Sequence, residues 1–413
     1  MTMPRAKWTF MLYMAGDNNL SSAGDADLAE LRQVGSTPEV HVVVEFDNAG
    51  SQGTRRFHIQ QGGKAERVVT LGETDSGQPQ TLIDFVVWAT TEYPAERYAL
   101  VLWNHGCGWE PIEIDRIAHQ MSAPGYSERE SLARASSTLR RTFFRSSLET
   151  ILSLPSSRER AICSDDGSGH SLDTLELGRV LAAITTHLGR PLDLLGMDAC
   201  LMSNLEVAFQ IQPYAHYMVA SEESEPNDGW PYAAVLRTLV TRPTMSTAAL
   251  AERIVKAYVQ DYLDQGYPGA VTQSALNLTQ LDTLIAPINA LAAILLANMP
   301  RSERYLWRAQ SRGTHFWHYT LWDLAHLCAE LARTTRLTAI RQRITALHAK
   351  LIQDDQAVIL SEAHAGAGLE RCGGISIYLP PPVLTRISPY YAELTFAKSS
   401  RWLELLRAYH AAA

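Results

Sequence analysis

Tyr98-Ala-Leu-Val-Leu-Trp-Asn-His105-Gly106 and, further on, Leu192-Asp-Leu-Leu-Gly-Met-Asp198-Ala-Cys200 decide the fold. Each is a short, nearly continuous apolar run that stops at a chemically reactive side chain. A strand sheltered on both faces needs such a run, because neither face meets water. Residues 9–14 and 40–46 read the same way, with further strand candidates at 56–60 and 216–220. Between them, 25–34, 82–91, 174–188 and 203–211 carry apolar residues at helical spacing, and Asp173 or Thr174 is placed to cap the third. Strands alternate with helices from Trp8 to about residue 234, which predicts an α/β core, 1–235, with a mainly parallel central sheet between helices.

From about Pro243 the pattern becomes long and helical, at 247–265, 279–299, 322–332 and 337–352. The segment 236–413 is therefore expected to be mainly helical, with 374–379 a late strand returning to the sheet before Pro380-Pro-Pro382 stops it. Residues 116–160 stand apart, with eight arginines, no lysine and four acidic residues. A long connection of that kind inside a compact unit is usually functional or disordered.

The chain has 413 residues, 46% of them apolar, and a net charge of -8. That is enough for a large core, and it offers no clustered, uncompensated basic surface for nucleic acid or an anionic membrane. Five scattered cysteines, with no Cys-x-x-Cys pair, argue against a disulfide framework and for a reducing, cytoplasmic setting. The apolar run from Trp8 to Ala15 is too short to span a membrane and lacks a signal-peptide cleavage site.

In an open parallel sheet the ligand site lies beyond the carboxyl ends of the strands. His105 and Cys200 both stand at such ends, 95 residues apart in sequence. A thiol with a pKa near 8.5 is only partly ionised at neutral pH, and a neighbouring imidazole can take its proton and later protonate a leaving amine. Gly106 leaves room for a carbonyl, and its N–H with that of Cys200 can form an oxyanion hole worth about 3 kcal/mol per donor. Each half alone is a weak signal, since a lone buried cysteine is usually an inert core residue.

Five ordered stretches sharpen the reading. Trp8 to Leu20, Leu102-Trp-Asn-His-Gly-Cys-Gly-Trp109, Asp173-Thr-Leu-Glu-Leu177, Gly196-Met-Asp-Ala-Cys-Leu-Met-Ser-Asn-Leu-Glu206 and Ala220-Ser-Glu-Glu-Ser-Glu-Pro-Asn-Asp-Gly-Trp-Pro-Tyr232 resemble the clostripain-like cysteine peptidases, relatives of the caspases. The resemblance implies a caspase-like α/β/α sandwich, a Cys200–His105 dyad, and cleavage of proteins or peptides after Arg or Lys. It puts Asp198 and Asp228 at the positions of an acidic S1 pocket, with Trp230 as a wall. A guanidinium leaving water needs a carboxylate partner, so the assignment is physically sensible. Asp198 at a strand end has a plainer reading too, as the cap of the next helix.

The family matures by cleavage between the His and Cys strands, where this chain is rich in the residue its pocket is expected to accept. The resemblance thus implies a zymogen, with Arg134, Arg140, Arg141 and Arg145 as processing candidates and an upstream protease as the alternative activator. No cofactor is needed for the chemistry. Calcium is a candidate because some relatives depend on it, but Asp165-Asp166-Gly-Ser-Gly169 lacks a recognisable ligand set, and the metal is left unknown. Asp17-Asn-Asn19 reads as an Asx turn after the first strand. A monomer is expected. The competing readings are a catalytically silent caspase-like scaffold, a nucleotide-binding protein and a serine hydrolase. The last two lack a Gly-x-Gly-x-x-Gly or Walker loop and a Gly-x-Ser-x-Gly elbow.

Overall fold

Ten of the eleven residues of the first strand, Ala6–Gly16, are buried, so this strand must be covered on both sides. The computed structural model describes residues 5–17, 20–48, 53–63, 66–104, 106, 108–109, 172–316, 319–384 and 386–413. His105, Cys107, Asn18, Asn19, the Asp165-Asp166 loop and the whole arginine-rich insert, with Arg134, Arg140, Arg141 and Arg145, lie outside these residues. The chain divides into one unit of Met1–Arg190 with Leu236–Pro243, and a second of Pro191–Val235 with Thr244–Ala413.

The first unit runs β1 (Ala6–Gly16), α1 (Ser21–Val34), β2 (Val40–Asn48), β3 (Thr54–His58), β4 (Arg67–Gly72), α2 (Pro79–Glu92), β5 (Ala95–Trp103) and α3 (Thr174–Leu188). Its strands lie in the order β5-β1-β2-β3-β4, with β5, β1 and β2 parallel and the outer two antiparallel. Alternate side chains of β1 show what covers each face. Met14 points to Gly24 of α1, where an added Cβ would lie 2.6 Å from Phe46 and 3.2 Å from Met14, so the helix approaches closely because Gly24 has no side chain. Tyr13 points the other way, to Phe85 of α2, with ring centroids 5.8 Å apart. The expected sandwich is thus present in this unit. Asp173 caps α3 in a reciprocal box, accepting from the Glu176 N–H while the Glu176 carboxylate takes the Asp173 N–H.

The second unit holds β6 (Leu192–Asp198), α4 (Leu205–Ile211), β7 (Ala215–Ala220) and the start of α5 (Tyr232–Thr241). There follow α6 (Thr247–Asp264), β8 (Val271–Asn277), α7 (Ile285–Leu296), α8 (Met299–Gln310), β9 (Leu321–Asp323), α9 (Leu324–Thr334), α10 (Thr338–His348), β10 (Ile359–Ala365), β11 (Ser376–Tyr378), α11 (Thr395–Ser399) and α12 (Trp402–Ala412). β6 and β7 are parallel, β8 pairs antiparallel with β7, and β10 pairs antiparallel with β8. Two corrections to the sequence reading follow. The strand expected at 374–379 forms, but it pairs with β9 in a separate two-stranded sheet, while the late strands are β8, beside β7, and β10, beside β8. The units also do not divide at residue 235 alone, because β6 and β7 group with the C-terminal helices. The segment 278–296 is long and apolar enough to cross a membrane by composition, but in this unit Ile288, Leu291, Ala292 and Leu295 of α7 are buried.

Candidate active site

β6 and β7 run in the same direction, so their carboxyl ends open onto one edge of the second unit and lead into the loops that carry Cys200 and Glu225. After Asp198 the chain turns through Ala199, Cys200 and Leu201. Leu201 has φ +65°, the one positive-φ residue other than glycine among the described residues. A branched side chain avoids that region at a cost of about 1–2 kcal/mol. Neighbours hold it there, since the Leu201 N–H donates to Glu223 O at 3.2 Å and the Asn204 amide donates to Leu201 O at 2.9 Å. Asn204, not Asp198, caps α4, accepting from the Val207 N–H at 2.8 Å.

Cys200 is half-buried. Its Sγ accepts the backbone N–H of Glu225 at 3.2 Å. A donor on sulfur favours the thiolate, which is the reactive form. Glu225 belongs to the loop that follows β7, and the same loop closes around Asp198. Asp198 Oδ2 accepts the Tyr232 hydroxyl at 2.6 Å and the Trp230 N–H at 3.2 Å. Gly229, at φ +58°, passes so near that a Cβ would sit 2.9 Å from this oxygen.

The two carboxyls meet. Burial raises the pKa of Asp198, opposed by hydrogen bonds from Glu225, Tyr232 and the Trp230 N–H. Glu225 is pushed well above the carboxylate range, first by burial and then by the charge of Asp198. The Gln273 amide donates to Glu225 Oε1 at 3.2 Å, and the Tyr262 hydroxyl donates to Gly229 O at 3.0 Å, bracing the loop from β8 and α6. Neither carboxylate has a Lys or Arg partner in an ion pair among the described residues. Asp198 is buried and Glu225 half-buried, and a sheltered acid pair without a cation favours keeping a proton or receiving a positive charge from outside.

Of the residues expected from the sequence, Cys200, Asp198 and Trp230 come together here. Trp230 is buried and contributes its N–H as well as its ring. Asp228 is exposed on the same loop. Glu225 was missed, although the loop Glu222-Glu-Ser-Glu225 was in view. The usable signal is a carboxylate placed just past the end of a strand parallel and adjacent to the one bearing the cysteine. In the first unit, β5 ends at Trp103, whose Nε1–H donates to Asp27 at 2.7 Å, and the Asn104 amide donates to Ala15 O at 2.7 Å. Gly106 is half-buried, and His105 lies outside the described residues.

The profile of the clostripain family, Peptidase C11, matches residues 12–126 and 153–409. The chain belongs to the clostripain family. Clostripain from Hathewaya histolytica is 25% identical over 234 residues, covering 50% of this chain and 36% of that protein, so the match spans about a third of the curated relative. Two solved structures share the fold. One is an inactive zymogen C11 protease from Parabacteroides distasonis, with TM-score 0.67, 18% identity and coverage of 97% of this chain and 99% of that one. The other is a secreted C11 cysteine protease from Bacteroides thetaiotaomicron in complex with an irreversible peptide inhibitor, with TM-score 0.66, 17% identity and coverage of 97% and 100%. This clostripain-family chain therefore has the α/β, caspase-like fold of those C11 proteases.

Proposed function

We propose that this chain is a cysteine endopeptidase that cleaves proteins or peptides after Arg or Lys, with Cys200 as nucleophile and His105 as its proton partner. The observation that carries the reading is the pair of buried Asp198 and half-buried Glu225 beside the Cys200 sulfur. A substrate guanidinium supplies the positive charge this pair lacks and can bond a carboxylate through two parallel N–H groups. The side chain of the P1 residue then fixes its own carbonyl next to Sγ.

The thiolate attacks that carbonyl carbon, and the N–H groups of Gly106 and Cys200 receive the developing oxyanion. His105 gives its proton to the leaving amine as the C–N bond breaks, leaving a thioester. Water then adds to the thioester with His105 taking its proton, and the carboxylic acid product and free thiol are released. Asp228 adds negative charge at the pocket mouth, and Trp230 walls it.

The chain is made as a zymogen in this reading, opened in the arginine-rich insert at Arg134, Arg140, Arg141 or Arg145 by itself or by an upstream protease. Among the described residues Cys328 and Cys372 are buried thiols outside any disulfide, which supports a reducing, cytoplasmic setting. A monomer with no nucleic-acid or membrane partner fits the charge. Calcium stays a candidate cofactor.

The test is a scan of fluorogenic peptides that differ only at P1, run with wild type and Cys200→Ala, alongside a denaturing gel of both. Cleavage after Arg and Lys by wild type alone is expected, with fragments near 130–160 only in the wild-type sample. Cleavage after Asp or Leu but not Arg sinks the pocket assignment. Failure of an arginine-based cysteine-reactive probe to label Cys200 would favour a silent scaffold.

A further inference from the structure

Behind the Cys200 loop, the second unit buries another set of reactive groups that the peptidase reading does not use. Glu222, Asp323 and Cys372 are all buried, and one ligand atom from each lies within 4.8 Å of the others. They come from three separate places in the chain: the residue pair after β7, the end of β9, and the turn before β11. Two consecutive backbone amides gather the carboxylates, since the Gly373 N–H donates to Asp323 Oδ2 at 2.5 Å and the Gly374 N–H to Glu222 Oε2 at 3.0 Å. Asp323 Oδ1 takes the His326 N–H at 2.6 Å.

Glu222 is 1% exposed, yet its second oxygen, Oε1, has no hydrogen-bond donor among the described residues. No Lys or Arg forms an ion pair with any member of the trio among those residues. The nearby Glu362 is already engaged by His364 Nδ1 at 2.7 Å. Buried carboxylates beside a thiol, with a lone pair left over and no cation, are the donor set of a metal rather than of a packed core.

We propose that Glu222, Asp323 and Cys372 bind one zinc-like divalent cation, which pins the segment after β7 to the Cys372-Gly-Gly374 turn. The donor types choose the ion class. A thiolate selects a borderline or soft metal, whereas calcium takes six to eight oxygens and magnesium an octahedron of them. Bonds of about 2.0–2.3 Å place tetrahedral donors roughly 3.5 Å apart, a modest contraction of the present cluster, with water as fourth ligand. Binding displaces the thiol proton and any proton that the touching Glu222 and Asp323 carboxyls share.

The position gives the ion a purpose. Glu222 is followed by Glu223, whose carbonyl holds Leu201, and by Glu225, whose N–H meets the Cys200 sulfur. A cation on Glu222 therefore fixes the stretch of backbone that holds the nucleophile's turn.

The test uses full-length Cys200→Ala protein, so that the active-site thiol is no ligand, stripped with a chelator and titrated with Co²⁺. One equivalent should bind with thiolate-to-cobalt charge-transfer absorption, displaced by Zn²⁺ and lost in Cys372→Ser. Glu222→Gln, with circular dichroism like its parent, should weaken Co²⁺ binding by about tenfold or more. Three results overturn the proposal: no charge-transfer band in the parent, a band that Cys372→Ser retains, or binding of Ca²⁺ alone. If Cys372→Ser does not fold, an unchanged Kd in Glu222→Gln overturns it as well, and a proton-sharing core is then the correct description.

Discussion

The backbone of Glu225 donates to the Cys200 sulfur at 3.2 Å, while the side chain of the same residue meets Asp198. One residue thus links the reacting atom to the acid pair. Its amide favours the thiolate, and its carboxyl, when charged, opposes it. In the proposed reading, a cationic P1 side chain placed on the pair removes that opposition as it binds. Glu225→Gln keeps the amide and a hydrogen bond to Asp198 but loses the charge. We expect kcat/KM for Arg substrates to fall about tenfold, equivalent to ~1.4 kcal/mol, with turnover of neutral-P1 peptides unchanged or raised. Equal loss on both substrate types would refute the link.

The Tyr232 hydroxyl donates to Asp198 Oδ2 at 2.6 Å and so opposes the burial that disfavours the charged carboxylate. Because that donor lowers the Asp198 pKa, its removal raises it, and the carboxylate then stays protonated to higher pH. In Tyr232→Phe the acid limb of the kcat/KM profile on Arg substrates should therefore move upward in pH. An unshifted limb with a uniformly lower rate would mean that Tyr232 serves only packing.

Gly229 lies where L side chains are strained and where a Cβ would press on Asp198 Oδ2. Gly229→Ala should cost about 1–2 kcal/mol of stability and more than tenfold in Arg-directed kcat/KM, because the carboxylate must move. A melting curve and a peptide assay on the same preparation check both parts.

Glu206 in α4 is buried, and burial raises its pKa to about 7. The Tyr391 hydroxyl and the Tyr378 N–H both donate to Oε1, and Oε2 has no donor among the described residues. A folded-state pKa above the unfolded one means that the native chain keeps a proton the unfolded chain releases. Stability is then full below the ordinary glutamate pKa and is lost as pH rises through about 7. Glu206→Gln should raise Tm by a few degrees at pH 8 and change it little at pH 5. A gain of the same size at both pH values would show that ionisation is not the cause.

The strands that carry the site were readable because their burial is written in side chains: β1, β2, β5 and β6 each hold an apolar stretch, at 10–15, 42–44, 99–103 and 194–195. β8 was not readable, for the opposite reason. Thr272, Gln273 and Ser274 are buried in spite of being polar, and each bonds a partner distant in sequence, Gln273 through its amide nitrogen alone. Thr272 bonds Ser221 at 2.8 Å, Ser274 bonds Ser203 at 2.9 Å, and Gln273 reaches Glu225. No local pattern announces a strand whose polar face is completed by loops 50–70 residues away. β4 was missed because, as a largely exposed strand, it lacks a buried face to set an alternation. Asp198 was found by resemblance and Glu225 was not, since its partnership with Asp198 exists only after β6 and β7 align.

Cys200, Asp198, Glu225 and the residues that brace them all belong to Pro191–Val235 and Thr244–Ala413, whereas His105 follows β5 in the other unit. If the proposed roles hold, selecting a substrate and shuttling its proton are written in different stretches of the polypeptide and are open to separate inheritance. A His105→Ala chain should still capture an arginine-headed aldehyde or ketone reversibly while turning over nothing, measurable by calorimetry against Asp198→Asn. Such a chain would be a reader of basic residues without a blade, one side chain removed from its cutting form.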